Sequence, residues 1–175
     1  MKEEIILVNE RDEEIGVIEK LEAHQKGLLH RAFSVFIFND NGEMLLQQRA
    51  SKKYHSGGKW SNACCSHPRP GEKIADAAKR RLKEELGFET ALKEIFDFHY
   101  KIQFENGLIE NEMDHVFTGR YNGEINFDPE EVQDYCFKSL QEVKQSLQIK
   151  PGIYTAWFVL AFPQIENWWN ENNKQ

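Results

Sequence analysis

Residues Gly71–Phe88, GEKIADAAKRRLKEELGF, decide how the rest of this sequence is read. The spacing predicts a helix over Gly71 to Leu86, ended by Gly87 as a C-cap. At about 100° per residue, Ile74, Ala75, Ala78, Leu82 and Leu86 fall on one apolar stripe. Glu85 falls inside that stripe, and Arg81 lies at its edge one turn earlier. Glu84 and Arg80 point elsewhere. A carboxylate aimed at a core is costly unless it is paired or bound to a cation. An Arg81–Glu85 ion pair at i, i+4 meets that need, and so does a metal-binding role.

Outward from this helix the chain alternates strands and helices without strict βαβ order. Ile5 to Val8 and Ile15 to Ile18 form an N-terminal hairpin, and Leu21 to Leu29 a short helix carrying His24. Arg31 to Phe38 and Glu43 to Arg49 flank the turn Asn39-Asp40-Asn41-Gly42 and predict a second hairpin. Ser51 to Lys59 is a loop. Two strands, Ile95 to Phe104 and Leu108 to Tyr121, follow the helix, then a strand over Val132 to Phe137. Ser139 caps a helix running to about Leu147, and Tyr154 to Asn170 is helical with a bend expected at Pro163. This pattern implies an α/β (α+β) class, with a mixed sheet between helices.

The chain has 175 residues, long enough for one well-buried core, so one domain over 1–175 is expected. Apolar residues make up 40%, and no run approaches a membrane span; the longest, Ala156 to Phe162, is far too short. The opening Met1-Lys2-Glu3-Glu4 carries no export segment. Cys64, Cys65 and Cys136 are odd in number and two are adjacent, which argues for reduced thiols and a cytoplasmic address. The net charge of −7 excludes a general nucleic-acid footprint. Between Met44 and Gly71, however, there is no acid, while Arg49, Lys52, Lys53, Lys59 and Arg69 supply positive charge. Such a patch is either a solvated loop or a local anion site.

The helix segment, taken with Ser66, resembles the Nudix signature G-x5-E-x7-R-E-U-x-E-E-x-G-U, in which U is a bulky aliphatic residue. Ser66 replaces the first glycine, and Arg81 replaces the glutamate after the signature arginine, here Arg80. In Nudix hydrolases that glutamate helps hold the metals of pyrophosphate cleavage, so its replacement weakens the case for hydrolysis of a nucleoside diphosphate derivative while leaving the fold expected. A second constellation lies at Ile109-Glu110-Asn111-Glu112. On a strand Glu110 and Glu112 share a face, with Cβ atoms roughly 7 Å apart. The pair suits either a solvated face or a bound cation. His24, His30 and His67, brought to those acids, would make a six-coordinate N/O site for Mg²⁺, Mn²⁺ or Zn²⁺. His55, His99 and His115 lack such company and are read as ordinary polar residues.

Together His24, His30, WSNACCSHP (Trp60 to Pro68), G-E-x7-R-R-L-K-E-E-L-G and Ile109 to Glu112 resemble the type 1 isopentenyl-diphosphate Δ-isomerases, over about Ile5 to Phe162. That family carries arginine where Arg81 stands. The resemblance implies interconversion of isopentenyl and dimethylallyl diphosphate by a 1,3-allylic proton shift, in isoprenoid biosynthesis. It implies that Cys65, not Cys64, and Glu112 are catalytic, with Tyr100 and Trp157 near them. It implies metal ligation by His24, His30, His67, Glu110 and Glu112, and a second, diphosphate-bound Mg²⁺ held through Glu85. Lys20, Arg49, Lys53 and Arg81 match diphosphate contacts, with Lys52 an alternative to Lys53. The expected partner is a small isoprenoid diphosphate, with no nucleic acid or membrane, on a monomer or homodimer.

Overall fold

In a computed structural model of the chain, residues 3–53 and 55–173 are described. Met1 and Lys2, where no export segment is expected, and Tyr54, within the expected loop, lie outside them. An edge hairpin of β1 (Glu4–Val8) and β2 (Glu14–Glu19) leads into the short helix α1 (Lys20–Lys26), which ends at Gly27. Strands β3 (His30–Phe38), β4 (Met44–Arg49), β5 (Trp60–Asn62) and β6 (Cys64–Ser66) precede helix α2 (Ile74–Leu86). Then come β7 (Lys93–Gln103), β8 (Ile109–Arg120), β9 (Val132–Lys138), α3 (Leu140–Ile149) and α4 (Ala156–Asn172). The nine strands join in one mixed sheet.

The central strand is β3, buried along its whole length except at Arg31. Strand periodicity sends Phe33, Val35 and Ile37 to one side, where they pack with Ala77, Ala78, Leu82 and Leu86 of α2. Phe36 and Phe38 go to the other side, against Trp157, Phe158, Phe162 and Ile165 of α4. A strand covered on both faces reads as a continuous apolar run. The predicted mixed sheet between helices, with an N-terminal hairpin, is therefore present. Pro163 lies inside α4, and the helix continues past it for another turn and more.

The expected hairpin of β3 and β4 is only a stub. The turn is built as predicted, with Asn39 Oδ1 accepting from the amides of Asn41 and Glu43, but only Phe38 and Met44 pair across it. The reason is competition for edges. One edge of β3 is filled along its length by β8 in parallel, and the other takes β1 and β6. Strand β4 peels away to pair with β5 and β9. β5 and β6, three residues each, were read as part of an unassigned segment because they are too short to show a period.

Helix α2 begins at Ile74 rather than Gly71, and ends at Gly87 as predicted. Gly87 has φ +76°, and a Cβ there would stand 2.3 Å from the carbonyl oxygen of Asn126, so only glycine fits. Among the described residues no helix is long and apolar enough to cross a membrane.

Candidate active site

Register assembles the centre of the site. His30 on β3 lies opposite Glu112 on β8, and Tyr100 on β7 lies opposite the same glutamate from the other side. Ser34 on β3 lies opposite Cys65 on β6. Alternation along β8 gives Glu110, Glu112 and Asp114 one face, shared with Val116 of the α4-side core. His24 enters from α1, whose first turn is capped by the Glu19 carboxylate, and His67 follows β6.

The imidazoles of His24, His30 and His67 converge on one oxygen. Their Nε2 atoms stand 3.9, 3.3 and 3.0 Å from Glu112 Oε1. One ligand atom from each of these four buried residues lies within 4.8 Å of all the others. His24 Nδ1 and His30 Nδ1 donate to the carbonyls of Lys20 and Leu28 at 2.7 and 2.8 Å, which fixes the tautomer and turns a lone pair on each Nε2 inward. Burial also holds His24 below the usual imidazole range and lowers His67 to about 4, keeping both neutral. Although burial opposes it, the His30 and His67 imidazoles beside it hold the Glu112 carboxyl well below its usual range. Three imidazoles around one buried carboxylate fit a divalent cation.

Glu110 stands beside this cluster rather than in it. Its carboxyl faces Tyr100 Oη at 3.4 Å and His55 Nε2 at 3.6 Å. Burial first, then the charge of Glu112, push it well above the carboxylate range, so it is protonated. Tyr100 Oη donates to Glu112 Oε2 at 2.5 Å.

Consecutive cysteines separate across the sheet. Cys64 enters the core beneath α2, whereas Cys65 packs on the α4 side and lines the cavity. Cys65 Sγ donates to Asn62 Oδ1 at 3.0 Å and lies 3.4 Å from Ser34 Oγ, which donates to Asp114 Oδ2 at 2.7 Å. Burial and the nearby Asp114 push the Cys65 thiol far up, so it is a thiol at rest. Burial and Glu112 likewise raise Asp114.

These groups open on a cavity of about 960 Å³. Its other wall is basic: Lys20, Arg49, Lys53 and Arg81 all line it, as does Lys52. Lys20 is tied to Glu3, Lys52 to Glu130 and Lys53 to Glu131. Arg81 bonds Glu85 Oε1 at 2.7 Å and lies 3.4 Å from Glu131 Oε1, while Gln47 donates to Glu85 Oε2 at 2.9 Å. The Arg81–Glu85 pair therefore exists within the cavity wall. The Nε atoms of Arg49 and Arg81 are buried with no hydrogen-bond partner among the described residues. Trp157 is buried, donates its indole N–H to Ser61 Oγ at 3.0 Å, and carries the Arg49 guanidinium over its ring at 5.2 Å.

Two histidines read as ordinary polar residues have defined settings. His55 is half-buried in the cavity wall, stacked on Phe104 at 5.0 Å and edge-on to Trp157 at 5.9 Å, and its loss of solvent lowers it to about 3. His115 bridges Glu94 and Asp12 at 2.6 and 2.9 Å, away from the cavity. His99 is exposed and bonds Asn111. Sequence reasoning also missed Glu131, Ser34, Asn62 and Asp114. Ser34, polar within the apolar run Ala32–Phe38, was a usable signal, and so was Asp114, third in the alternation of acids after Glu110 and Glu112; Glu131 sits in an unpatterned loop and gave none.

The NUDIX domain family matches residues 28–158. The Isopentenyl-diphosphate Delta-isomerase of Pectobacterium atrosepticum is 50% identical over 95% of this chain and 93% of its own length. Isopentenyl-diphosphate Delta-isomerase 2 of Aromatoleum aromaticum is 46% identical over 94% of this chain and 87% of its own length. Among solved structures, DR0079 from Deinococcus radiodurans aligns over 93% of this chain and 98% of its own, with a TM-score of 0.76 at 19% identity. A MutT protein from Methanosarcina mazei aligns over 83% of this chain and 96% of its own, with a TM-score of 0.66 at 22% identity, and both show the fold alone. With a Nudix fold and relatives this similar over nearly its whole length, the chain belongs to the isopentenyl-diphosphate Delta-isomerase family.

Proposed function

We propose that this protein, working as one domain, interconverts isopentenyl and dimethylallyl diphosphate. An alkene is a poor base, and its protonation at C4 creates a tertiary cation at C3. Loss of a proton from C2 then places its electron pair in the C2–C3 double bond. The reaction needs an acid on one side, a base on the other, and little water between them. The observation that carries the assignment is the cavity itself, lined by Cys65, by the Glu112–Tyr100 pair and by a basic wall.

In this reading the Glu112–Tyr100 side handles the proton at C4, and Cys65 handles the proton at C2. His24, His30, His67 and Glu112, with Glu110 beside them, would hold Mn²⁺, Zn²⁺ or Mg²⁺. When bound, such an ion supplies a Lewis acid that draws charge from the carboxyl and makes an attached proton more acidic. Trp157 faces the developing cation, a contact worth up to ~2 kcal/mol when desolvated. Arg49, Lys53 and Arg81 line the cavity and supply the positive charge for the diphosphate. Lys20 sits at the rim. Glu85, with Glu131 across Arg81, offers carboxylate oxygens suited to a diphosphate-bound Mg²⁺. The three cysteines are free, in keeping with work in the cytoplasm. A hydrolase is disfavoured because Arg81 occupies a signature carboxylate position and spends its guanidinium on Glu84 and Glu85.

The test is incubation with isopentenyl diphosphate, Mg²⁺ and Mn²⁺, with the product read by NMR. Dimethylallyl diphosphate is expected. Release of phosphate without any dimethylallyl product rejects the proposal.

A further inference from the structure

Thr155 is the N-cap residue of α4, yet its side chain makes no capping bond. Its hydroxyl lies 2.9 Å from Ser61 Oγ instead, and its amide donates to the carbonyl of Trp60 at 2.9 Å, which ties the start of α4 to β5. The direction of each hydrogen in this buried group is fixed. Asn62 Nδ2 gives both its hydrogens to the carbonyls of Val35 and Cys64, at 3.1 and 2.9 Å, so Asn62 Oδ1 can only accept. Ser61 therefore donates its single hydrogen to that oxygen, at 3.0 Å. Its lone pairs accept from the Thr155 hydroxyl and, at 3.0 Å, from the indole N–H of Trp157. Ser61 is then saturated, and Ser61, Asn62, Thr155 and Trp157 are all buried. Fixing the N–H fixes the ring. An indole is negative on its faces and positive at its edge. With its N–H turned to Ser61, Trp157 lines the cavity and carries the Arg49 guanidinium over its face at 5.2 Å.

We propose that Ser61 is a positioning residue for the isomerisation, acting through Trp157. By accepting the N–H it holds the positive edge of the indole away from the reacting carbons and presents a face to the cation at C3. The inference rests on the reading of Trp157 as the partner of that cation. No proton moves through Ser61, so its contribution is orientation alone. Without an acceptor at Ser61, the buried N–H is drawn to another one within reach, and the ring turns with it. The attraction between ring face and cation exists only while C3 is charged. A turned ring therefore raises the barrier and leaves the binding of a neutral hydrocarbon tail nearly unchanged.

The test compares two diphosphates of one shape, the first with a tertiary ammonium in place of C3 and the second with a neutral carbon there. Their binding is measured by calorimetry in the presence of Mg²⁺. Ser61→Ala is expected to weaken the ammonium compound roughly tenfold and the neutral one less than about twofold. In turnover, kcat should fall roughly tenfold, with KM for isopentenyl diphosphate changed less than about twofold. In a Trp157→Phe background no N–H needs holding, so Ser61→Ala should not change the ratio of the two affinities further. Should the alanine variant fail to fold, Ser61→Cys, close in shape and a weak acceptor, takes its place with the same expectations. An equal loss for both compounds, an unchanged ratio, or a further fall in the Trp157→Phe background overturns the role of Ser61. Absence of any isomerisation by wild type overturns the function instead.

Discussion

Tyr100 and Glu112 face each other across β7 and β8, and the phenol donates to Glu112 Oε2 at 2.5 Å while three imidazoles crowd Oε1. The two oxygens of one carboxylate thus do separate jobs, one turned to the imidazole cluster and one held by a phenol at the cavity. Removing the phenol should leave the cluster in place and disturb the chemistry. Tyr100→Phe is expected to lower kcat by about tenfold to a hundredfold, the worth of a hydrogen bond to a charged group. Metal content of the purified variant should match wild type. A kcat within threefold of wild type would show that the phenol is dispensable.

Cys64 and Cys65 are chemically identical neighbours whose side chains part on opposite faces of β6. Cys65→Ser should abolish turnover and leave the thermal melt near wild type, because the serine hydroxyl can still reach Asn62 and Ser34. Cys64→Ser buries a hydroxyl among apolar side chains under α2, with the Glu85 carboxylate as an acceptor within reach, at a cost of about 1 kcal/mol, the low end for a buried hydroxyl. It should lower Tm by several degrees and retain turnover. The opposite pattern, with turnover lost in Cys64→Ser alone, would reverse the assignment of the two thiols.

That parity is also where the sequence was legible. Helix α2, the long strands and the buried Glu85 follow from periodicity, because burial on a regular element repeats at a fixed interval. The stubbed hairpin does not, since a local turn signal at Asn39-Asp40-Asn41-Gly42 carries no information about which edges of β3 other strands have taken. His24, His30, His67 and Glu112 were recognisable as a set only through the family's motifs, coming as they do from four separate segments. His55 was missed because a cation-rich loop looks solvated from its composition, while its place depends on Phe104 and Trp157, far away in the chain.

Glu85 is buried with both oxygens engaged by Arg81 and Gln47, and Glu131 lies on the far side of the same arginine. Glu85→Gln keeps the shape and removes the charge that would attract Mg²⁺. The Mg²⁺ concentration for half-maximal rate should rise at least about tenfold, while the metal held by the imidazoles stays bound. Titration of the rate against Mg²⁺, beside a metal analysis of the same sample, separates the two sites. An unchanged Mg²⁺ requirement would remove Glu85 from the diphosphate-bound ion.

His67 gives the cluster a pH dependence of definite sign once metal is chelated. Burial lowers its folded pKa to about 4 from 6.5. Above about pH 6.5 it is neutral folded and unfolded and contributes nothing. As pH falls from 6.5 towards 4, the unfolded chain takes up a proton that the folded protein does not, so folding is progressively penalised. Below 4 both forms are protonated, and the penalty levels off at roughly 3 kcal/mol. Glu110 and Asp114, held protonated in the fold, titrate with the opposite sign, so the readout is the difference between chelated wild type and His67→Gln. In urea melts, wild type should lose up to about 3 kcal/mol relative to the variant between pH 6.5 and 4. A gap that stays constant across that window would mean that His67 is not held neutral. Restoring the divalent ion at neutral pH should raise wild-type stability with ion concentration, since only the folded chain gathers the four ligands, and should do so far less in His67→Gln.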